Sequence, residues 1–264
     1  MATDSFFEKH RGKVIVALLL TFASGLVDIV GYVGIFHFFT AHLTGATVQL
    51  GKALADRSWV DVRAAVVIIS AFVAGSIFGR VVIEAASRKR ILRIASFTLA
   101  IEAAMLAILA ATAQPTFRQA TPLLLNGALN GVYWGLAILA AAMGIQTATL
   151  TGIGPLTVHT TFVTGMINKT AQLVSHIAFR TYDLVRSKSR DIGARRERNQ
   201  DIMQALFLSA IWCFYVGGAA FGAWSYRFLG MRSLFIAVGL LAIGIGTDLC
   251  WPLAIKEEKE QSER

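Results

Sequence analysis

The 264 residues are 55% hydrophobic and 16% charged, with a mean hydropathy of +0.60, which leaves too little polar surface to solubilise a globular domain of this length. The net charge of +9 does not point to nucleic acid, because Lys and Arg fall between the apolar runs, where orientation in a bilayer accounts for them. Cys213 and Cys250 lie inside apolar runs and are expected to be packing residues, so neither a disulfide framework nor a thiolate metal site is expected.

Arg11 and Lys13 followed by VIVALLLTFASG imitate a signal peptide, with Thr21-Phe22-Ala23 as a weak cleavage site. The apolar run continues to Phe36, so an uncleaved first span is expected. Stretches long enough to cross a hydrocarbon core of about 30 Å are Val14 to Phe36, Val60 to Ile83, Ile91 to Ala113, Pro122 to Leu150, Ile202 to Phe228 and Leu234 to Ile255. Between the first and second lies the polar stretch FFTAHLTGATVQLG, 38–51; between the fourth and fifth lies VHTTFVTGMINKTAQLVSHIAFR, 158–180.

The chain also repeats itself. FVAGSIFG at 72–79 is echoed by YVGGAAFG at 215–222, Thr44-Gly45 by Thr164-Gly165, and GLVD at 25–28 by GIQT at 144–147. One integral membrane domain is therefore expected, with halves 1–118 and 119–264 and a basic cytoplasmic loop at 183–200 carrying the insert RSKSRDIGARRERNQ (186–200) in the second half. Such duplication is frequent among transporters.

Three crossings per half would set the halves in opposite orientations, and four would leave them parallel. An inverted arrangement places Arg88, Lys89, Arg90 and Arg93 inside, and a parallel one exchanges them for Lys52, Arg57, Arg63 and Arg118; Arg80 tips the charge balance toward inversion. Insertion energy agrees. At about −0.5 kcal/mol per large apolar residue and about +3 for a central Lys, the nine large apolar residues of 158–180 barely offset Lys169. The polar segments are expected to be re-entrant or broken.

On helical spacing Thr21, Ser24, Gly25, Asp28, Gly31 and Tyr32 share one face. Similar polar stripes run through Thr40, Thr44, Thr47 and Gly51, through Thr161, Thr164, Gly165, Asn168, Gln172 and Ser175, and through Gly144, Thr147 and Thr151, and the four stripes are expected to converge. Asp28 and Glu102 are acids deep in spans, where such residues mark ion or substrate paths. A Glu102–Lys169 pair is one expectation for the second acid. His37, His42, His159 and His176 show no metal-ligand spacing and are expected to be interfacial or hydrogen-bonded. Gly75, Gly79, Gly218 and Gly222 form small-xxx-small motifs suited to close helix packing. Trp59, Trp134, Trp212, Trp224 and Trp251 suit headgroup anchoring, and KEEKEQSER ends the chain as a solvated charge run. No nucleophile elbow, phosphate loop or zinc signature occurs, so no enzyme, cofactor or metal is expected.

The arrangement GLVDIVGY…FFTAHLTGATV followed by MGIQTATL…HTTFVTGMINKTAQLV resembles the YoaK family of bacterial membrane proteins, over roughly Lys13 to Cys250. The matching positions are Gly25, Val27 and Asp28; Thr44 and Gly45; Gly144 and Gln146; and Thr160, Thr161, Thr164 and Gly165. Ala46 and Thr147 depart from the family pattern, where Asn is usual. The resemblance implies a polytopic, permease-like protein and supplies no substrate or reaction.

The fold expected is all-α, a polytopic helical membrane protein of two related halves with six crossings and two polar segments. The function expected is secondary transport of a small polar solute, proton-coupled, in the bacterial cytoplasmic membrane, with its N-terminus inside. Asp28, Thr44, Gly45, Glu102, Gln146, Thr147, Thr164, Gly165 and Asn168 are the expected binding or coupling residues. The alternative is a non-transporting sensing or assembly protein acting through its basic loop. The partners expected are the lipid bilayer and a small polar solute or proton, with a homo-oligomer left open and nucleic acid excluded.

Overall fold

The structure, a computed structural model, describes residues 11–35, 37–89, 91, 93–112, 129–149, 152–153, 156–157, 163–186 and 192–250. The sequence expectations for Arg90, Arg118, the stretch 122–128, His159, Thr160, Thr161, Trp251 and the charged tail lie outside these residues. Eight α-helices are present among the described residues: α1 Arg11–Gly34, α2 Leu43–Ala55, α3 Trp59–Arg88, α4 Ile94–Thr112, α5 Leu129–Thr149, α6 Val163–Arg186, α7 Ile192–Leu229 and α8 Leu234–Cys250. Between α5 and α6 the chain makes one minimal antiparallel pairing, β1 Gly152–Ile153 with β2 Leu156–Thr157.

Among the described residues, five helical stretches are long and apolar enough to cross a membrane: Arg11–Gly34, Trp59–Arg88, Ile94–Thr112, Gly131–Thr149 and Ile192–Cys250. The last contains both α7 and α8, joined by a 3₁₀ turn at Gly230–Ser233 whose Gly230 adopts φ +58°. That left-handed conformation, cheap only for glycine, reverses the chain.

Side-chain pairs fix the direction of every long helix. Gln146 on α5 reaches Leu20 and Ser24 on α1, and Gly31 faces Leu139, so α1 and α5 are antiparallel. Tyr133 bonds Val60 near the starts of α5 and α3, and Gly79 meets Ala148 near their ends, so these two are parallel. Phe22 meets Gly218 and Leu26 meets Gly222, so α1 and α7 are parallel. Ser96 bonds Asp248 and Leu99 faces Gly244, so α4 and α8 are antiparallel. A hydroxyl pair, Thr149 with Thr98, joins the end of α5 to the start of α4.

Six helices therefore alternate between two ends of one bundle: α1, α4 and α7 run one way, and α3, α5 and α8 the other. The end of α1 and the start of α3 lie at the same end, so α2 does not cross. At 1.5 Å per residue its 13 residues span only about 20 Å. The end of α5 and the start of α7 likewise share one end. There α6 folds back on α7 as an antiparallel hairpin held by Arg180, which bonds Asp201 (2.9 Å) and Glu197 (3.2 Å).

These ion pairs correct the expectation of a basic loop over 183–200. Residues 192–200, whose Ala194, Arg195, Arg196, Glu197, Arg198 and Gln200 are good helix formers, form the first turns of α7, and Arg186 ends α6. A second correction concerns Cys213 and Cys250, which are exposed on α7 and α8 rather than packed inside. The core is built instead from Leu20, Leu26, Ile68, Leu99, Leu136, Leu139, Met143 and Leu208, all fully buried.

Close helix approach rests on glycine. A Cβ at Gly25 would lie 2.2 Å from the Tyr215 carbonyl oxygen, and one at Gly144 would lie 2.3 Å from that of Phe72. One at Gly218 would meet the Phe22 carbonyl at 2.0 Å, and one at Gly75 the Ala141 carbonyl at 2.2 Å. Gly222 lies over Leu26 and Ile29, and Gly79 over Ile145 and Ala148. Each α1 position in these contacts has an α5 position 119 residues later doing the same work, and each α3 position an α7 position 143 residues later.

Candidate functional site

Asp28 projects from the last third of α1, and only 2% of it is exposed. The reason it tolerates burial is a chain reversal. After Gly34 the backbone turns, with His37 at φ 57°, and the connector runs back along α1 to Asp28, about 9 Å below the helix end. There Oδ1 accepts the backbone N–H groups of Thr40 (3.1 Å) and Ala41 (3.0 Å), with the Thr40 hydroxyl at 3.4 Å. Oδ2 pairs with His42 Nδ1 at 2.5 Å and accepts the Tyr215 hydroxyl from α7 at 2.6 Å. A carboxylate inside a span is costly without partners, and this one has them on both oxygens.

Aromatic rings surround the reversal. Tyr32 stacks on Phe39 (4.5 Å between ring centres) and meets His37 edge-on (5.3 Å); His42 is edge-on to Phe39 (5.5 Å) and to Tyr215 (5.8 Å). Hydrogen bonding to Asp28 raises the proton affinity of His42 above the ordinary imidazole value, against an opposing contribution from partial burial. About a third of the His42 side chain is exposed, so the cluster joins three elements and still reaches the surface.

The corresponding place in the second half is chemically different. Thr147 stands where the 119-residue offset would put the counterpart of Asp28, and Phe72 where the 143-residue offset would put that of Tyr215. The Thr147 hydroxyl donates to its own helix, at Met143 O (2.8 Å).

The other expected site residues do not gather at Asp28. Thr44, Thr164 and Asn168 are exposed, and Gly45 and Gly165 are part-exposed. The four polar stripes therefore do not converge as a set: the second meets the first only at Thr40, the described residues of the third are exposed or part-exposed, and Thr151 and Thr161 lie outside the described residues. Each of these polar helices packs chiefly against one neighbour, α2 on α3 and α6 on α7, and small or apolar residues (Ala46 and Ala53; Met166 and Leu173) take the covered face. Gln146 is buried on α5, its side-chain N–H groups donating to Leu20 O (2.7 Å) and Ser24 Oγ (3.0 Å). Glu102 is fully buried in α4 and Lys169 is exposed on α6, so the Glu102–Lys169 pair is not formed. Gly75, Gly79, Gly218 and Gly222 all lie at the helix crossings described above.

Two buried polar contacts were not legible in the sequence. Tyr215 was legible only as part of the apolar octet YVGGAAFG, and nothing in that pattern signals a partner 187 positions away. Asp248, fully buried in α8, accepts the Ser96 backbone N–H (2.9 Å) and hydroxyl (2.5 Å), so it caps the start of α4. Its signal was a lone acid in the run IGIGTDLC.

Comparison with known proteins places the chain. It is 27% identical over 173 residues, 66% of this chain and 70% of the relative, to UPF0700 transmembrane protein YoaK of Bacillus subtilis (strain 168). No solved structure matches. The family described as "Protein of unknown function (DUF1275)" matches residues 16–247. With that match over most of its length, and with helices long and apolar enough to cross a bilayer several times, the chain is a multi-pass membrane protein of the DUF1275 family.

Proposed function

We propose that this protein is a permease for a small polar solute, built as two inverted repeats, and that Asp28 is the proton-responsive latch of its first gate. One observation carries the reading: a carboxylate buried within a span ties α1 of the first half to α7 of the second through the re-entrant connector 35–42. The constant offsets between glycine contacts, and the opposite running sense of the two helix triplets, support the repeat. Inverted repeats with broken segments entering from opposite faces suit alternating access around a midplane site.

Positive charge supports the orientation. Arg11, Lys13, Arg88, Lys89, Arg93, Arg186, Arg195, Arg196 and Arg198 gather at one end of the bundle, against Lys52, Arg57, Arg63, Arg227 and Arg232 at the other. The richer end is cytoplasmic by the positive-inside rule, in a bacterial cell membrane. The connector 35–42 then enters from the outer face, and α6 lies at the inner one. Protonation of Asp28 weakens its charge-assisted bonds to two backbone amides, His42 and Tyr215, and frees the outer connector.

The test is the melting temperature of detergent-purified protein against a panel of small polar metabolites, followed by uptake of any hit into proteoliposomes. A solute at about 100 times its Kd stabilises by about 2.7 kcal/mol. Asp28→Asn is expected to remain folded in the membrane and to lose the proton dependence of uptake. Unchanged proton-dependent uptake in that variant removes the assignment.

A further inference from the structure

A second buried acid lies outside the Asp28 cluster. Glu102 sits in the middle of α4 with 0% exposure, and neither of its carboxyl oxygens has a hydrogen-bond partner among the described residues. On α5, the buried side-chain oxygen of Gln146 is also unpartnered, although its nitrogen is doubly engaged on α1. Two orphan acceptors in one core are unusual, since buried polar groups nearly always have a hydrogen-bond partner.

Helix register places them at the same level. The Thr98–Thr149 hydroxyl contact (3.0 Å) fixes α4 against α5. Because α5 ends where α4 begins, the two run in opposite senses, and one turn onward from Thr98 stands opposite one turn back from Thr149. Those positions are Glu102 (i+4) and Gln146 (i−3), each on the same helix face as its threonine. As they stand, neither oxygen can donate to the other. A single proton on Glu102 converts them into a donor and an acceptor: the carboxylate oxygen takes the proton, and the new O–H donates to the Gln146 oxygen.

We infer that Glu102 and Gln146 form a proton-binding site in the seam between the halves, separate from the Asp28 latch. Among the described residues, the two helices that carry the pair hold no competing charge. α4 carries no other charged residue over 94–112, and α5 none over 129–149, where Tyr133 lies at the far end against Val60. On α8 the facing acid is Asp248, already engaged by Ser96 about 9 Å nearer the start of α4. The 3₁₀ turn carries Arg232, and α3, which touches α4 only slightly, carries Arg80 and Glu84 in the turns before its end. The site deepens the permease reading by naming a coupling group, yet it stands or falls by its own measurement.

That measurement is infrared difference spectroscopy of the full-length purified protein between neutral and alkaline pH. A protonated-carboxyl C=O band is expected at neutral pH, absent in Glu102→Gln, shifted in Gln146→Leu and retained in Asp28→Asn. Glu102→Gln keeps an N–H donor toward Gln146 and is expected to fold with an unchanged or higher melting temperature. A band that survives Glu102→Gln, or that Gln146→Leu leaves unshifted, overturns the site. Loss of the proton dependence of uptake in Asp28→Asn with this band intact would separate the latch from the proton site, and the absence of any uptake in the wild type would leave the infrared result to decide the proton site alone.

Discussion

At the residue scale, the chemistry concentrates where a charged group has been drawn into the bundle with its partners supplied by distant segments. Tyr215→Phe deletes one donor to a buried carboxylate and leaves its oxygen short of a partner, so a loss of about 1 to 3 kcal/mol is expected. Thermal melts in one detergent check it, and a melt identical to wild type would show that the hydroxyl contributes nothing. His42 supplies a pH dependence. Its proton affinity is raised in the folded state by Asp28, so the pair's stabilisation is fully present below the ordinary imidazole value of about 6.5 and is lost as pH rises through the higher folded value. The melting-temperature gap between wild type and His42→Gln should accordingly be largest in mildly acidic buffer and shrink in alkaline buffer. A gap that widens on the alkaline side would reverse the assignment.

At the element scale, the crossings of α1 with α7 and of α3 with α5 are backbone-to-backbone contacts that leave no room for a methyl group. Gly218→Ala and Gly75→Ala would each set a Cβ against a carbonyl oxygen, at 2.0 and 2.2 Å. Overpacking of this kind costs about 1 to 3 kcal/mol. The two variants are expected to lose similar amounts of stability, because they occupy equivalent places. Gly239→Ala, in open space on α8, is the control and is expected to match wild type or exceed it slightly, as Ala is the better helix former. Unequal losses at 75 and 218 would count against equivalence of the two crossings.

At the scale of the whole molecule, the arrangement of helix directions makes a topological prediction. With Cys213 and Cys250 replaced by Ala, single cysteines at position 57, in the α2–α3 connection, and at position 186, at the end of α6, should react with a membrane-impermeant thiol reagent from opposite sides. Labelling of both from the same side would mean that a polar segment crosses after all. The same map sets α2 and α6 each chiefly against a single helix, α3 and α7, and both leave apolar side chains uncovered beside their polar ones: Val48 and Leu54 on α2, Ile167, Val174 and Phe179 on α6.

Much of this was written in the chain itself. Apolar runs of about 20 residues determine the spans because backbone polar groups must be satisfied internally in lipid, and the small residues at 72–79 and 215–222 mark the close crossings because only glycine admits a backbone so near. Asp28 stood out because an acid within a span needs a reason. What the tertiary structure alone decided is which groups supply that reason. The amides of Thr40 and Ala41 and the hydroxyl of Tyr215 carry no periodic signal, since a hydrogen bond between residues 187 positions apart leaves no trace in either local sequence. Charge counts nearly tied over the orientation of the halves, because Lys and Arg near span ends read the same in both arrangements. Only the antiparallel registers of Ser96 with Asp248 and of Gln146 with Leu20 show how the helices run against one another, since direction is a property of paired helices and not of any one of them.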